Sequence, residues 1–288
     1  MRTIFFLHVI LLIVGSYNLS AQRLLLQTQA EVDAWDRSIT VITENISIIG
    51  DDITNLDSLS NVEEVYGNLT IFQNQNLTNI GLSGLSTVSG ILTIEQNDNL
   101  QNIDSLAELA SVGGLLRITR NSMLQNLDGL SSLSSITGLV TISGNSQLTD
   151  ISGLEGLNLL EGSLTISCNN LLENIDGLSR LDSISGSLSL SDNDSFVDIE
   201  PLNNLTFLSG TLSISYNDNL ERIGGLSGLT DFTGRVDIEQ NPRLQNLDGV
   251  SNIVILYGVV NIQDNDTLMN LDALSSMRSI NGLKDQWK

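Results

Sequence analysis

Asp237 and Glu239 stand two residues apart within an alternating apolar pattern, a spacing that would set both carboxylates on one face of a strand. Paired carboxylates are the minimum for hydrolysing a glycosidic bond, one protonating the leaving oxygen while the other activates water. Such a site needs a local cluster that interrupts the surrounding pattern, and here the pattern continues unbroken. Other chemistries close sooner. The single histidine, His8, falls in an apolar N-terminal stretch expected to be removed, which leaves no imidazole for Ser-His-Asp or Cys-His catalysis or for zinc. Cys168 is alone, so it has no intrachain disulfide partner, and it sits at a position whose residue type varies freely. Asp104, Asp128, Asp176, Asp248 and Asp272 recur in Asn-Ile/Leu-Asp turns. Their spacing fits neither an EF-hand loop nor glycine-rich calcium repeats, and aspartate there is expected to accept bonds from the next backbone amides. The expectation is a chain that is not an enzyme, with no catalytic, cofactor or metal site.

What positions these residues is a repeat. Gly67, Gly90, Gly114, Gly138, Gly162, Gly186, Gly210, Gly234, Gly258 and Gly282 are spaced by 24 residues, except the first step of 23. Seven positions after the first nine glycines come Asn74, Asn97, Asn121, Asn145, Asn169, Asn193, Asn217, Asn241 and Asn265. A fixed period of this length specifies a solenoid in which neighbouring units complete each other's core. After each glycine, pairs such as Leu69/Ile71, Leu164/Ile166 and Val236/Ile238 alternate with period two, the strand signal. The remainder of each unit drops an apolar residue every third position, as in Leu172, Ile175, Leu178, Leu181 and Ile184. That rhythm suits a chain turning corners in short extended and 3₁₀ pieces. The asparagines are expected to turn inward and bond the backbone of adjacent coils.

Arg2, the apolar run Ile4–Val14 and a small residue at Ala21 make residues 1–21 an expected secretory signal peptide. Without Arg2 the mature chain carries 11 basic residues against 34 acidic ones, a net charge near −23. Such a field repels phosphate backbones and anionic headgroups, so neither nucleic acid nor a membrane is an expected partner. Residues 22–66 are expected to cap the N-terminal end, with a short helix over Gln27–Trp35 and a shortened coil at Ile46/Ile48. Residues 67–282 form the repeats, and 283–288 are expected to be an incomplete end. Lys284 falls where an apolar residue belongs, so dimerisation or fraying over residues 259–288 is expected.

On the outer strand face, small hydroxyls dominate several coils, including Ser163, Thr165 and Ser167 and then Ser187, Ser189 and Ser191. Ile91, Leu115 and Leu139 would form an apolar edge at the strand starts, with Phe72 at the far end of its strand. Contiguous exposed aliphatics mark a contact, so these four are the candidate partner-contact residues.

The pattern Gly186-Ser-Leu-Ser-Leu-Ser-Asp-Asn, followed by Gly210-Thr-Leu-Ser-Ile-Ser-Tyr-Asn, resembles the receptor L-domain family, a relative of leucine-rich repeats, in the form found in secreted bacterial and fungal cell-wall proteins. The resemblance implies an all-β fold, a right-handed, single-stranded parallel β-helix with about nine 24-residue coils and one long sheet. The long regular face, the export signal and the lack of a catalytic constellation point to a non-catalytic secreted or cell-surface adhesion module that recognises an extracellular protein or glycan through that sheet. Alternatives are a structural spacer, a carboxylate-based polysaccharide-cleaving enzyme or a hydroxyl surface that orders water or ice. Cysteine-rich modules, a membrane-spanning helix and a kinase are not visible, so receptor signalling does not carry over.

Overall fold

Alternating branched side chains extend the backbone after each glycine, and the extended segments stack in register. The computed structural model describes residues 23–279 apart from 233 and 257. Eleven parallel strands form the long sheet in sequence order, from Arg23–Leu26 and Asn45–Ile48 through Leu116–Thr119 and Val140–Ser143 to Val260–Gln263. The register superposes equivalents: Leu116 pairs with Val140, Ile118 with Ile142, Ile142 with Ile166. At a strand spacing of about 4.8 Å, ten steps make the sheet roughly 48 Å long. The repeats alone lead one to expect about 40–45 Å. The additional length comes from the cap, where Arg23–Leu26 pairs with Asn45–Ile48.

The three-residue rhythm resolves into a two-residue strand per coil and, in every coil but the one that begins at Gly67, a 3₁₀ turn. Turns such as Asp104–Leu106, Asp128–Leu130 and Asp176–Leu178 make one corner. Two-residue strands, for example Thr87–Val88, Ser111–Val112 and Ser135–Ile136, make a second side of short parallel ladders. The 23-residue first step is absorbed at the corresponding corner, where residues 67–89 form no 3₁₀ turn. Ile103 and Leu106 are three apart, whereas Ile80 and Leu82 are two apart, and Gly81 turns the chain there with a φ of +67° that disfavours other residues.

The apolar positions are buried in every described coil but the last, with Leu164, Ile166, Leu172, Ile175, Leu178, Leu181 and Ile184 of one coil all at 0–1 % exposure. Each contributes about 1.5–3 kcal/mol of transfer free energy, without disulfide or metal. Phe196 and Phe232 occupy the Leu and Ile columns and are fully buried.

The glycine column marks a close approach of adjacent coils. A Cβ at Gly162 would lie 2.3 Å from the Gly138 carbonyl oxygen, and one at Gly234 would lie 1.7 Å from that of Gly210.

The cap helix is shorter than expected, Gln29–Asp33, and Thr28 sets its start with a capping box. The Thr28 hydroxyl accepts from the Glu31 amide at 3.2 Å while the Glu31 carboxylate accepts from the Thr28 amide. At the other end, Val260 and Ile262 are slightly exposed, and Leu268, Leu271 and Leu274 are half-buried. The expected signal peptide, and Ile280, Lys284 and Trp287 of the expected open end, lie outside the described residues.

Candidate functional site

Strand alternation puts the residues between the buried pairs on one broad outer face. Thr93, Arg117, Thr141, Thr165, Ser189 and Ser213 run across it in register, and a second row runs Phe72, Glu95, Thr119, Ser143, Ser167, Ser191 and Ser215. Ser167 donates to the Ser143 hydroxyl at 2.8 Å.

Ile91, Leu115 and Leu139 are adjacent along the strand starts. The Leu92 amide bonds the Leu115 carbonyl and the Leu116 amide that of Leu139, each at 2.9 Å, which holds the three in consecutive coils. Ile91 is 38 % and Leu139 47 % exposed, with Leu115 half-buried between them. Phe72 is not part of this edge. It lies half-buried at the opposite strand end, paired with Glu95.

The carboxylate pair is occupied locally. Arg235 Nε donates to Asp237 at 2.6 Å, and Asn261 Nδ2 donates to Glu239. Two carboxylates on one flat strand leave no recess between them for a sugar ring.

The positions before the asparagines share one conformation. Gln73, Gln96, Arg120, Cys168, Asp192, Tyr216, Gln240 and Asp264 all have φ between 53° and 57°, a left-handed geometry that costs an L-residue about 1–2 kcal/mol. Cys168, expected to be incidental, takes this shape like its equivalents, and its thiol is exposed.

Gly144 (φ +71°) is the glycine of that column, and the missing side chain leaves a notch. A shallow concavity of ≈ 480 Å³ opens there, lined by Glu95, Arg117, Thr119, Arg120, Thr141, Ser143, Gly144 and Cys168. Glu95 lies 3.9 Å from Arg117 and 3.7 Å from Arg120, ion-pair contacts too long for hydrogen bonds. Neither guanidinium donates a hydrogen bond to another described side chain or backbone group. Thr119 is 8 % exposed, and its buried Oγ1 is without a hydrogen-bond partner among the described residues. A buried hydroxyl left unpaired costs about 1–3 kcal/mol. Sequence reasoning missed this cluster. The signal was Arg117 in a column of Thr and Ser, three residues before Arg120 in a chain poor in basic residues.

The expected aspartate turns need correction. In the 3₁₀ corners the acceptor is the residue two positions earlier: Asn102 accepts from the Asp104 amide at 3.3 Å, Asn126 from Asp128 at 3.1 Å and Asn174 from Asp176 at 3.0 Å. The aspartate stands first in the turn, and its carboxylate makes none of these bonds. Elsewhere, partial burial followed by the charges of Asp218 and Asp192 raises the Asp194 carboxyl above its ordinary value. Among the described residues no group of three or more His, Cys, Asp or Glu could hold a metal ion, and no helix is long and apolar enough to cross a membrane.

Among curated proteins none matches the chain. A solved structure of an internalin from Listeria monocytogenes is similar at 18 % identity and a TM-score of 0.38, covering 91 % of this chain and 90 % of that one. Residues 158–250 match the model of the receptor L domain family.

Proposed function

We propose that the chain is a non-catalytic, extracellular protein-binding module that meets its partner with the outer sheet, the coils winding as a right-handed solenoid of about nine complete repeats. The observation that carries this reading is the exposed aliphatic edge of Ile91, Leu115 and Leu139 bordering a flat polar sheet. Apolar patches rimmed by polar residues are a common signature of protein contact. The receptor L domain match over residues 158–250 supports a binding module. The N-terminal Arg-apolar-Ala pattern supports export, and the lack of histidine after residue 21 supports a non-catalytic role. A glycan partner is less favoured, because sugar recognition draws on stacked aromatic rings and only Phe72 stands in the two sheet rows traced above.

The test is capture of extracellular proteins on the purified chain, then titration of each purified hit against wild type and Leu115→Asp/Leu139→Asp. The doubly substituted chain is expected to bind its partner at least about tenfold more weakly, since two charges would be desolvated in the contact. A partner that binds both forms equally moves the contact off this edge. No saturable partner at all leaves the chain a structural spacer.

A further inference from the structure

Arg117 and Arg120 form a basic island on a chain whose formal net charge is −22. Their nearest anion, Glu95, stays at ion-pair distance without a hydrogen bond. The Arg117 side chain is 45 % exposed and that of Arg120 68 % exposed, so both forks face solvent with donors to spare. A guanidinium in this state matches a planar carboxylate, which it can hold through two parallel bonds. The notch at Gly144 gives such a group room, and Thr119, Thr141 and Ser143 line it with hydroxyls. The unpaired Thr119 Oγ1 is an independent sign that the free protein leaves this spot unsatisfied.

The apolar edge belongs to the same coils. Leu115, Arg117 and Thr119 alternate outward along one strand segment, so Leu115 lies about 7 Å from Arg117 at 3.3 Å per residue. An aliphatic edge beside a two-arginine notch complements a protein segment bearing an apolar side chain next to a carboxylate. The surrounding acidic field disfavours polyanions, since every further negative charge on the ligand is repelled.

We propose that Arg117, Arg120 and the Thr119 hydroxyl grip a single Asp or Glu side chain of the partner protein, with its neighbouring aliphatic residue seated on Ile91, Leu115 and Leu139. This rests on the protein-binding reading above and names the chemistry of its contact.

The probe is a library of short random peptides displayed on phage and selected on the full chain, with the enriched peptides then synthesised and titrated. Enrichment of Asp or Glu beside Leu, Ile or Val is expected. Arg117→Gln/Arg120→Gln is expected to weaken these peptides at least about tenfold while leaving the melting temperature in place, and amidating the peptide carboxylate should do the same. Thr119→Val separates recognition from structure. It should hold or raise the melting temperature, because it removes an unpaired hydroxyl, and still weaken the peptide several-fold. Selected peptides without acidic residues, equal binding to the Arg-substituted chain, selection of no peptide, or binding of uronate oligosaccharides alone would each overturn the inference. If peptides lose affinity with Leu115→Asp/Leu139→Asp but not with the arginine substitutions, the protein-binding reading stands and this one falls. If affinity is indifferent to both, this inference falls and the contact lies off this edge.

Discussion

The side-chain oxygen of Asn121 accepts two bonds from Asn97, one from its backbone amide at 3.1 Å and one from its Nδ2 at 3.2 Å. The same Nδ2 donates to the Ile71 carbonyl of the preceding coil at 3.1 Å. Repeated from Asn74 to Asn265, this builds a buried ladder that satisfies the backbone where each strand ends. Its first rung is the Gly50 amide, which donates to Asn74.

Substituting Asn145 by Ala takes the acceptor from the Asn121 amide and the Nδ2 donor from the Ile118 carbonyl, while the backbone amide at 145 still donates to the Asn169 oxygen. At about 1–3 kcal/mol for each buried unpaired group, with water entering part of the gap, urea unfolding should show a loss of about 2–4 kcal/mol. Asn265 is only half-buried near the last described coil, so Asn265→Ala should cost about 1 kcal/mol. Equal losses at the two positions would mean that the ladder is not what stabilises the interior.

Two glycine substitutions separate crowding from conformation. Gly234→Ala forces a methyl to within 1.7 Å of the Gly210 carbonyl oxygen, which only a backbone shift relieves. A loss of about 3 kcal/mol or more is expected in thermal or urea melts. At Gly144 the added Cβ meets Arg120 Cγ at 3.4 Å, an ordinary contact, so Gly144→Ala should cost only the left-handed penalty of about 1–2 kcal/mol. A reversed order would refute the close approach of the glycine column.

Asp194 supplies a pH test. Its folded-state pKa is raised, so the folded protein holds that proton more tightly than the unfolded chain. The ionised carboxylate therefore destabilises the fold, fully above the raised value and not at all below the unfolded value of about 3.9. Asp194→Asn should raise the melting temperature at neutral pH, with the gain shrinking to nothing as the pH falls through that window. A gain that persists at low pH would point to packing instead of charge.

The sequence revealed the strands, the buried asparagines and the three-residue rhythm because each is enforced by what the interior excludes. Ile166→Leu would reshape the packing of a column and Ile166→Ser would leave a gap in it, so that position admits little variation. The left-handed column before the asparagines is different. The coil dictates its backbone, but the side chains point outward, so Gln96, Arg120, Cys168 and Tyr216 share φ without sharing chemistry. At the corner turns the sequence points to Asp176 instead of Asn174 because both recur at fixed offsets, and only geometry shows whose oxygen faces the amide. The strand Arg23–Leu26 carries no repeat glycine and is invisible in the sequence for that reason. The Arg117, Arg120 and Gly144 concavity joins variable positions of neighbouring coils, a combination that no single repeat displays.

The bonds that join one ladder asparagine to its neighbours reach only the adjacent coils, spanning 23 to 27 residues. A load applied along the chain therefore meets these rungs in succession, and each coil that comes away releases 24 residues. At about 3.3–3.6 Å per residue, that is roughly 80 Å of slack for each step. Tethered at a surface, such a molecule lengthens stepwise under tension and keeps its remaining coils folded, where a single cooperative globule would let go at once.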